Sequence, residues 1–282
     1  MKSDSHHWIT LHRVRFAAEI SAFERTFEAP VLPNCLRFCP SLCLDDNGLP
    51  TFRSDTWFGF GVYDRCDDAE TMFMTTQAQL PFIAEAVEEW QAVLVPFTHR
   101  GQVNWRGSVE DGTAIRASSD PLAGPLVVIT SAGYNSRTPD QIPRIARLVR
   151  GIQNVVDFYG SCDGNLRRVS TAGGFDSRDG FTVTLWRDDR AMNQAAYGEG
   201  THRTLMDMSR DGSLFDRSSF TRARIVTSSG SWNGDPVAGL ASRSGASSRG
   251  TAHRRHRRAA CVPPVPCRAR RRTVHDDAGS SR

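Results

Sequence analysis

Two strand-like segments of the chain end on the same Trp-x-Gly pattern, once at Trp105-Arg106-Gly107 and once at Trp232-Asn233-Gly234. A helical stretch precedes each segment, and a strictly alternating strand precedes each helix, at residues 58–63 and 181–186. The alternating strands begin 123 residues apart and the tryptophans lie 127 residues apart. An internal repeat constrains the architecture more strongly than any local pattern. The sequence therefore predicts an internal duplication, with a small insertion within one of the two related halves.

Local patterns in the second half alternate between strand and helix. Thr138 is predicted to cap a helix that ends at Gly160, although Pro143 favours a later start of the regular helix. Asp188 or Asp189 is predicted to cap the next helix. The predicted elements are a strand at 126–130, a helix at 138–160, a strand at 181–185, helices at 190–197 and 201–208, and a strand at 220–227. A Gly- and Asp-rich connection lies between the first helix and the second strand.

The first half follows the same order less clearly. Its predicted elements are a strand at 9–16, a helix at 18–27, a strand beginning at 36–38, a strand at 57–63, a helix from Asp67 through Phe82, Ile83, Val87 and Trp90, and a strand at 92–97. The order in both halves is typical of the ferredoxin-like, or split βαβ, motif. Such a unit covers one face of its sheet with helices and must bury the other face against a partner.

These patterns predict an α+β fold in which two ferredoxin-like repeats pack as an intramolecular dimeric α/β-barrel-like unit. We predict a flexible N-terminus at 1–8, a first repeat at 9–120, a second repeat at 121–236 and a disordered tail at 237–282. The apolar residues of the alternating strands should form one buried face in each half. A small-molecule pocket is expected either between the two sheets or between a sheet and its helices.

Charge is distributed unevenly along the chain. Residues 237–282 hold 11 arginines and two aspartates, so the remainder is acidic although the whole chain is +4. This tail is too poor in apolar residues to offset the entropy of folding. It is interpreted either as a segment that binds nucleic acid or anionic membrane, or, as we favour, as a non-functional extension. No apolar run approaches the ~20 residues of a membrane span, and the first residues lack a secretory signal, so we expect a cytoplasmic protein with seven thiols rather than disulfides.

Few residues stand out as candidates for chemistry. The sequence has no nucleotide-binding glycine loop, no zinc-protease motif and no nucleophile elbow. Cys35, Cys39 and Cys43 lack zinc-site spacing and are interpreted as buried thiols. His202 follows a Gly-Glu-Gly break, so it either ligates a metal or haem iron in the pocket or forms a local hydrogen bond at a helix start. Trp186 and Arg187 lie at the predicted pocket rim, where Arg187 either binds a carboxylate or pairs with a neighbouring aspartate.

The chain resembles the spheroidene monooxygenase family over about residues 9–236. The motifs that carry this resemblance are Trp186-Arg187-Asp188, Thr201-His202-Arg203, Phe220-Thr221-Arg222-Ala223-Arg224 and Gly230-Ser231-Trp232-Asn233-Gly234, with Leu36-Arg37-Phe38 and Trp57-Phe58-Gly59 in the first half. The resemblance implies an antibiotic-biosynthesis-monooxygenase-like barrel and a monooxygenase of carotenoid biosynthesis. It also implies haem iron as cofactor, with His202 as the candidate proximal ligand and metal-binding residue and with Trp186 and Arg187 in the cofactor-binding site.

The same resemblance implies molecular oxygen and an electron donor as co-substrates, because triplet oxygen needs an activating cofactor. The expected partners are an apolar small-molecule substrate and a redox protein such as a ferredoxin, with peripheral membrane contact, a further oligomer as an open alternative, and no nucleic acid. Two other functions remain open on this scaffold, since fold does not settle chemistry. One is a cofactor-free oxygenase or a haem dehydratase, and the other is a non-catalytic small-molecule-binding module.

Overall fold

The computed structural model describes eight segments of the chain, namely residues 4–18, 32–44, 52–104, 112–119, 123–136, 138–172, 179–198 and 214–236. The strands in these segments are β1 (Trp8–Phe16), β2 (Cys35–Leu44), β3 (Phe52–Tyr63), β4 (Ala86–Gly101), β5 (Leu126–Gly133), β6 (Asn165–Ala172), β7 (Asp179–Trp186), β8 (Arg217–Trp232) and β9 (Asp235–Pro236). The helices are α1 (Cys66–Met74), α2 (Thr76–Gln79), α3 (Ile142–Ser161) and α4 (Asp189–Tyr197), with 3-10 turns at Pro81–Glu85 and Pro139–Gln141.

The two halves have the same strand order. The first sheet runs β4-β1-β3-β2 and the second runs β8-β5-β7-β6, both antiparallel. β4 pairs with β8 along most of its length. At the opposite edge β2 pairs with β6 through Leu42↔Ala172 and Cys43↔Thr171. The eight strands therefore close into a ring, although β2 and β6 meet over only these two residue pairs. The predicted α+β fold of two ferredoxin-like units is confirmed.

The inside of the ring is filled by the alternating strands. On β3 and β7 the predicted apolar residues all point inward and are buried, namely Phe58, Phe60, Val62, Phe181, Val183 and Leu185. Phe60 meets Phe181 edge to face, with ring centroids 4.8 Å apart. An eight-stranded barrel is just wide enough for side chains to fill it. Of the two expected pocket locations, the one between the sheets is therefore occupied by this core.

The second Trp-x-Gly motif is a hairpin turn that closes one end of the barrel. Asn233 and Gly234 connect β8 to β9 with φ values of 57° and 81°. Two consecutive positive φ angles are what a two-residue hairpin turn requires, and Asn-Gly is the preferred pair for it. Trp232 packs on Trp90, with ring centroids 5.1 Å apart, and lies under the Arg13 guanidinium. The matching Trp105-Arg106-Gly107 lies outside the described residues.

One predicted helix in the first half is wrong in its second part. α1 and α2 end by Gln79, a 3-10 turn starts at Pro81, and β4 begins at Ala86, so Val87 and Trp90 lie in a strand. The spacing of apolar residues from 82 to 90 fits a helix. Pairing of β4 with both β1 and β8 overrides that spacing, and alternate β4 residues (Glu88, Trp90 and Ala92) point inward and are buried.

In the second half, β6 was predicted as a connection. It carries the adjacent basic residues Arg167 and Arg168 instead of a clear apolar alternation, and its backbone is satisfied by pairing with β7. Thr138 was also predicted to cap α3, but its side chain forms no cap. A 3-10 turn comes first and the regular helix begins at Ile142, as the nearby Pro143 indicated. The Asp188 cap is confirmed by its acceptance of a 2.8 Å hydrogen bond from the Ala191 N–H.

Several predicted segments cannot be compared with the structure. The helix at 18–27 beyond Ala18, the helix at 201–208, the tail at 237–282 and the boundary between the repeats at 120/121 all lie outside the described residues. Among the helices that are described, none is long and apolar enough to cross a membrane.

Candidate functional site

A cavity of about 460 Å³ lies between the second sheet and the helices that cover it. Its floor is the outward face of β5, β6, β7 and β8, with the end of β4 beside them, and its roof is α3 and α4. Its size falls within the range of ligand pockets, which are about 300–1,000 Å³. The pocket predicted between a sheet and its helices is therefore present in the second half of the described chain.

Small side chains on the sheet explain why this space is open. The outward residues at the centre of the floor are small or hydroxylated, namely Thr130, Ala132, Ser170, Ala172, Gly180, Thr182 and Thr184. Because successive strand residues point to opposite faces, these alternate with the large residues that fill the barrel. Side chains of this size do not reach α3, so a gap remains beneath the helix.

The equivalent space in the first half is filled. There the outward face of β3 carries Trp57 and Tyr63, which are 1% exposed, on either side of two glycines. Trp57 folds over Gly59, where a Cβ would lie only 2.6 Å from its ring. Phe82 meets Trp57 edge to face with ring centroids 5.0 Å apart. The repeat is thus asymmetric, and in the described residues the large cavity belongs to the second half.

The roof of the cavity is the apolar stripe of α3. Leu148, Val155, Val156 and Tyr159 recur at three- and four-residue spacing and are buried, while the opposite side of the helix is exposed. Burial raises the pKa of Tyr159, so its hydroxyl stays protonated. An apolar roof above a hydroxylated floor favours an apolar ligand with few polar groups.

The structure separates two of the predicted site residues. Trp186 is 1% exposed, lines the cavity, donates a 2.8 Å hydrogen bond to Thr184 Oγ1 and packs edge to face on Tyr159. Arg187 instead lies on the surface, where it pairs with Asp163 at 3.1 Å and with Asp188 at 3.2 Å. It is not among the residues that line the cavity. The surface-pairing alternative therefore describes its position.

His202, the third predicted residue, lies outside the described residues. Among the described residues that line the cavity, none is a histidine or a cysteine. His12 is fully buried in the first half, where burial lowers its pKa to about 3. The described part of the chain contains no group of His, Cys, Asp and Glu residues that could hold a metal ion. A histidine or cysteine ligand for a metal in this cavity would have to come from residues outside those described.

Ion pairs neutralise the charges at one end of the cavity. Asp179 is buried and receives two hydrogen bonds from Arg217, at 2.9 and 2.7 Å. Nearby, Arg144 pairs with Asp216 at 2.8 Å. Burial alone would raise the pKa of Asp216, but the Asn135 N–H and Arg144 hold it below its usual value. Asp179 is the one carboxylate among the described lining residues, and its pair with Arg217 leaves it poorly suited to act as a general base.

Two arginines line another part of the wall, and no carboxylate among the described residues pairs with them. Arg222 donates there only to neutral oxygens, to Asn193 Oδ1 at 3.3 Å and to the Tyr197 hydroxyl at 3.2 Å. Its Nε is buried and has no partner in the described part of the chain. Arg100 lines the same wall and is exposed. Neither arginine is predicted from the sequence as a site residue, although Arg222 lies in a motif that carries the resemblance; the signal in the sequence is an arginine in the outward register of a half-buried strand.

No protein-family model and no curated protein matches the sequence. Several solved structures align over most of the chain. A protein from Fusobacterium nucleatum, provisionally described as a monooxygenase, aligns with 81% of this chain and 95% of its own, at 10% identity and a TM-score of 0.33. A similar protein from Lactobacillus acidophilus aligns with 79% and 96%, at 9% and 0.32. Aldoxime dehydratase in complex with butyraldoxime aligns with 79% and 80%, at 10% and 0.48. At such identities and TM-scores these likenesses do not decide chemistry, and the fold is established by the strand pairing of the chain itself.

Proposed function

We propose that the chain is a monooxygenase that oxygenates an apolar substrate in the cavity of its second half, with haem as the cofactor. The observation that carries this proposal is the one-sided cavity, which is apolar, roofed by α3 and absent from the equivalent place in the described first half. A carotenoid, as the resemblance to spheroidene monooxygenases implies, or a smaller natural product would be the substrate. Oxygen and an electron donor would be co-substrates.

The apolar walls of the cavity suit a flat apolar cofactor, whereas the described lining residues include no histidine or cysteine that could bind its iron. The α3 stripe and the small floor residues leave a layer of space between the helix and the sheet, and Trp186 is part of its lining. Haem, when bound, would supply the activation of oxygen that side chains alone cannot provide. The described residues would bind and orient the ring and the substrate, and α3 would exclude water from both.

In this proposal His202 would hold the haem iron. Tyr197 and Phe215 both line the cavity, and the segment that contains His202 connects them. His202 follows Tyr197 by five residues, and five residues span at most about 18 Å. The covalent chain therefore lets His202 lie no farther than this from Tyr197, which is the reason for choosing it over the histidines of the chain ends.

A haem titration of the full-length protein tests the proposal. Addition of haem should produce a Soret band with saturable binding, and His202→Ala should lose that band or shift it. His6→Ala, which removes an imidazole from the N-terminal segment, is the matched control and should bind haem as the wild type does. If the wild-type protein takes up no haem, the haem-dependent monooxygenase is refuted.

A non-catalytic binding protein is the second candidate. Among the described lining residues the carboxylate is held by Arg217 and the wall hydroxyls have no base beside them. Such a wall suits the binding of a small molecule without acid–base catalysis. Apolar ligands that bind tightly, and that are recovered unchanged in the presence of haem, oxygen and a reductant, would favour this function.

A further inference from the structure

The wall of the cavity holds a positive charge, that of Arg222, which no carboxylate among the described residues compensates. At the end near Asp179 each charged residue has an opposite partner. Arg222 differs from these residues, because its guanidinium contacts two neutral oxygens and stacks at 5.5 Å on Phe220, while its buried Nε has no acceptor among the described residues. A buried donor without an acceptor costs free energy, more so when it is charged. A ligand that brings an acceptor would recover that cost.

Strand register places a second arginine beside the first. In the pairing of β4 with β8, Thr98 lies opposite Arg222 and Arg100 lies opposite Phe220. Arg100 and Arg222 are therefore diagonal neighbours on one face of the sheet, with Cα atoms about 7–8 Å apart. Both line the cavity, and Arg100 is exposed, so the pair lies where the cavity reaches the surface. At this spacing, the two guanidinium groups can each donate hydrogen bonds to one carboxylate.

We propose that Arg222 and Arg100 bind the carboxylate of an apolar ligand, whose body lies under α3. Arg222 donates from its guanidinium, whose planar fork fits a carboxylate and whose Nε has no acceptor among the described residues, and Arg100 adds a second charge at the mouth. The apolar roof accounts for the body of the ligand, and the absence of a counter-ion for Arg222 in the described chain accounts for its charge. This inference uses the proposed function only in taking the cavity as the ligand site.

Two sources of such a carboxylate share this chemistry, namely the propionates of haem and a long-chain carboxylic acid substrate. Each is compared with a probe that lacks the charge: haem with its dimethyl ester by absorbance titration, and hexadecanoic acid with hexadecanol by calorimetry. In the full-length wild type we expect at least one acid to bind roughly ten- to a hundredfold more tightly than its uncharged analogue, as for a charge-assisted hydrogen bond.

Variants assign that preference to the arginine. Arg222→Gln should remove the preference for the acid and leave binding of the uncharged analogue within about twofold, while Arg222→Lys should retain part of it, since it keeps the charge without the fork. Arg190→Gln removes an equal charge from an exposed position on α4 and should bind as the wild type does. Urea unfolding of each variant identifies any loss that comes from instability rather than from the missing guanidinium.

The outcomes separate this inference from the proposed function. If haem and its dimethyl ester bind equally well, hexadecanoic acid and hexadecanol also do so, and Arg222→Gln changes nothing, the carboxylate site is refuted while the haem proposal stands. If haem does not bind and hexadecanoic acid binds in an Arg222-dependent way, the haem proposal fails and the carboxylate site stands. Failure of both acids to bind refutes the carboxylate site.

Discussion

A buried ion pair links the first strand to the turn that closes the barrel. Glu88 on β4 and Arg13 on β1 are 4% and 3% exposed, with Oε2 and Nη1 2.8 Å apart. The other oxygen of Glu88 accepts hydrogen bonds from the Gly234 N–H at 2.7 Å and the Ser231 hydroxyl at 3.1 Å. Arg13 also donates to Asn233 Oδ1 at 3.0 Å. One carboxylate thus holds the Asn-Gly turn of the second half against the first half.

Glu88→Gln should destabilise the fold strongly. The glutamine keeps the size of the side chain but removes the charge that pairs with buried Arg13. Its amide has one acceptor oxygen in place of two, so its NH2 group must face either Arg13 or the donors of Ser231 and Gly234. Two charges about 4 Å apart interact by about 4 kcal/mol in a partly buried setting, and breaking a buried pair typically costs about 3–5 kcal/mol. For a protein of this size the melting temperature should fall by roughly 6–20 °C.

The pH dependence of this loss has a definite sign. Burial would raise the pKa of Glu88, but the Gly234 N–H and Arg13 lower it to about 2. Because the folded pKa is below the unfolded value of about 4.3, the charge stabilises the fold above that value and the contribution is lost as pH falls toward 2. The free-energy difference between wild type and Glu88→Gln should be constant from about pH 7 to 5 and shrink between about pH 4.5 and 2.

Urea unfolding followed by circular dichroism measures this difference at each pH. The matched control is Glu89→Gln, the same change at the next residue, which is less buried; it should cost no more than about 0.5 kcal/mol. A Glu88→Gln variant within about 1 kcal/mol of the wild type at pH 7 would show that this pair matters far less than buried ion pairs generally do when one partner is removed. A loss of equal size at pH 2 would show that the charge is not its cause.

Two further predictions test the asymmetry of the halves, and a third tests the cap of α4. Thr182→Trp should fill the cavity beneath α3 and abolish binding of apolar ligands, measured by calorimetry, with little change in the free energy of unfolding. Trp57→Ala should instead open a void in the packed first half and cost about 3–5 kcal/mol in urea unfolding, whereas Thr182→Ala, on the open floor, should cost much less. Asp188→Ala should remove the cap of α4 and cost about 1 kcal/mol, measured the same way, and Asp163→Ala on the nearby surface should not.

Local chemistry explains which predictions the structure confirmed. The alternation in β3 and β7 predicted the faces that fill the barrel, because a strand has only two faces and the apolar one must be buried. The Asn233-Gly234 turn and the Asp188 cap were readable for a similar reason, since each depends on the conformational preference or reach of a single residue.

The wrong predictions concern segments whose secondary structure depends on the strands that pair with them. Residues 86–90 carry a spacing that fits a helix, yet they form part of β4 because β1 and β8 flank that strand on both sides. β6 has a weak pattern and exists because β7 satisfies its backbone hydrogen bonds. The β4 pairings join residues far apart in the chain, so no local window contains the information that decides them, whereas β6 pairs with the neighbouring strand β7.

The sequence alone determined the duplicated frame, the α+β class and the inward faces, because repeats, periodicity and turn residues act over short distances. Only the tertiary structure decided which of the two halves contains a cavity. The volume left beneath α3 depends on the sum of small side chains from four strands, and the first half fills the same place with Trp57, Tyr63 and Phe82. The structure likewise placed Arg187 on the surface and Arg222 in the cavity wall, since the partner of a charge is set by the fold and not by its neighbours in the chain.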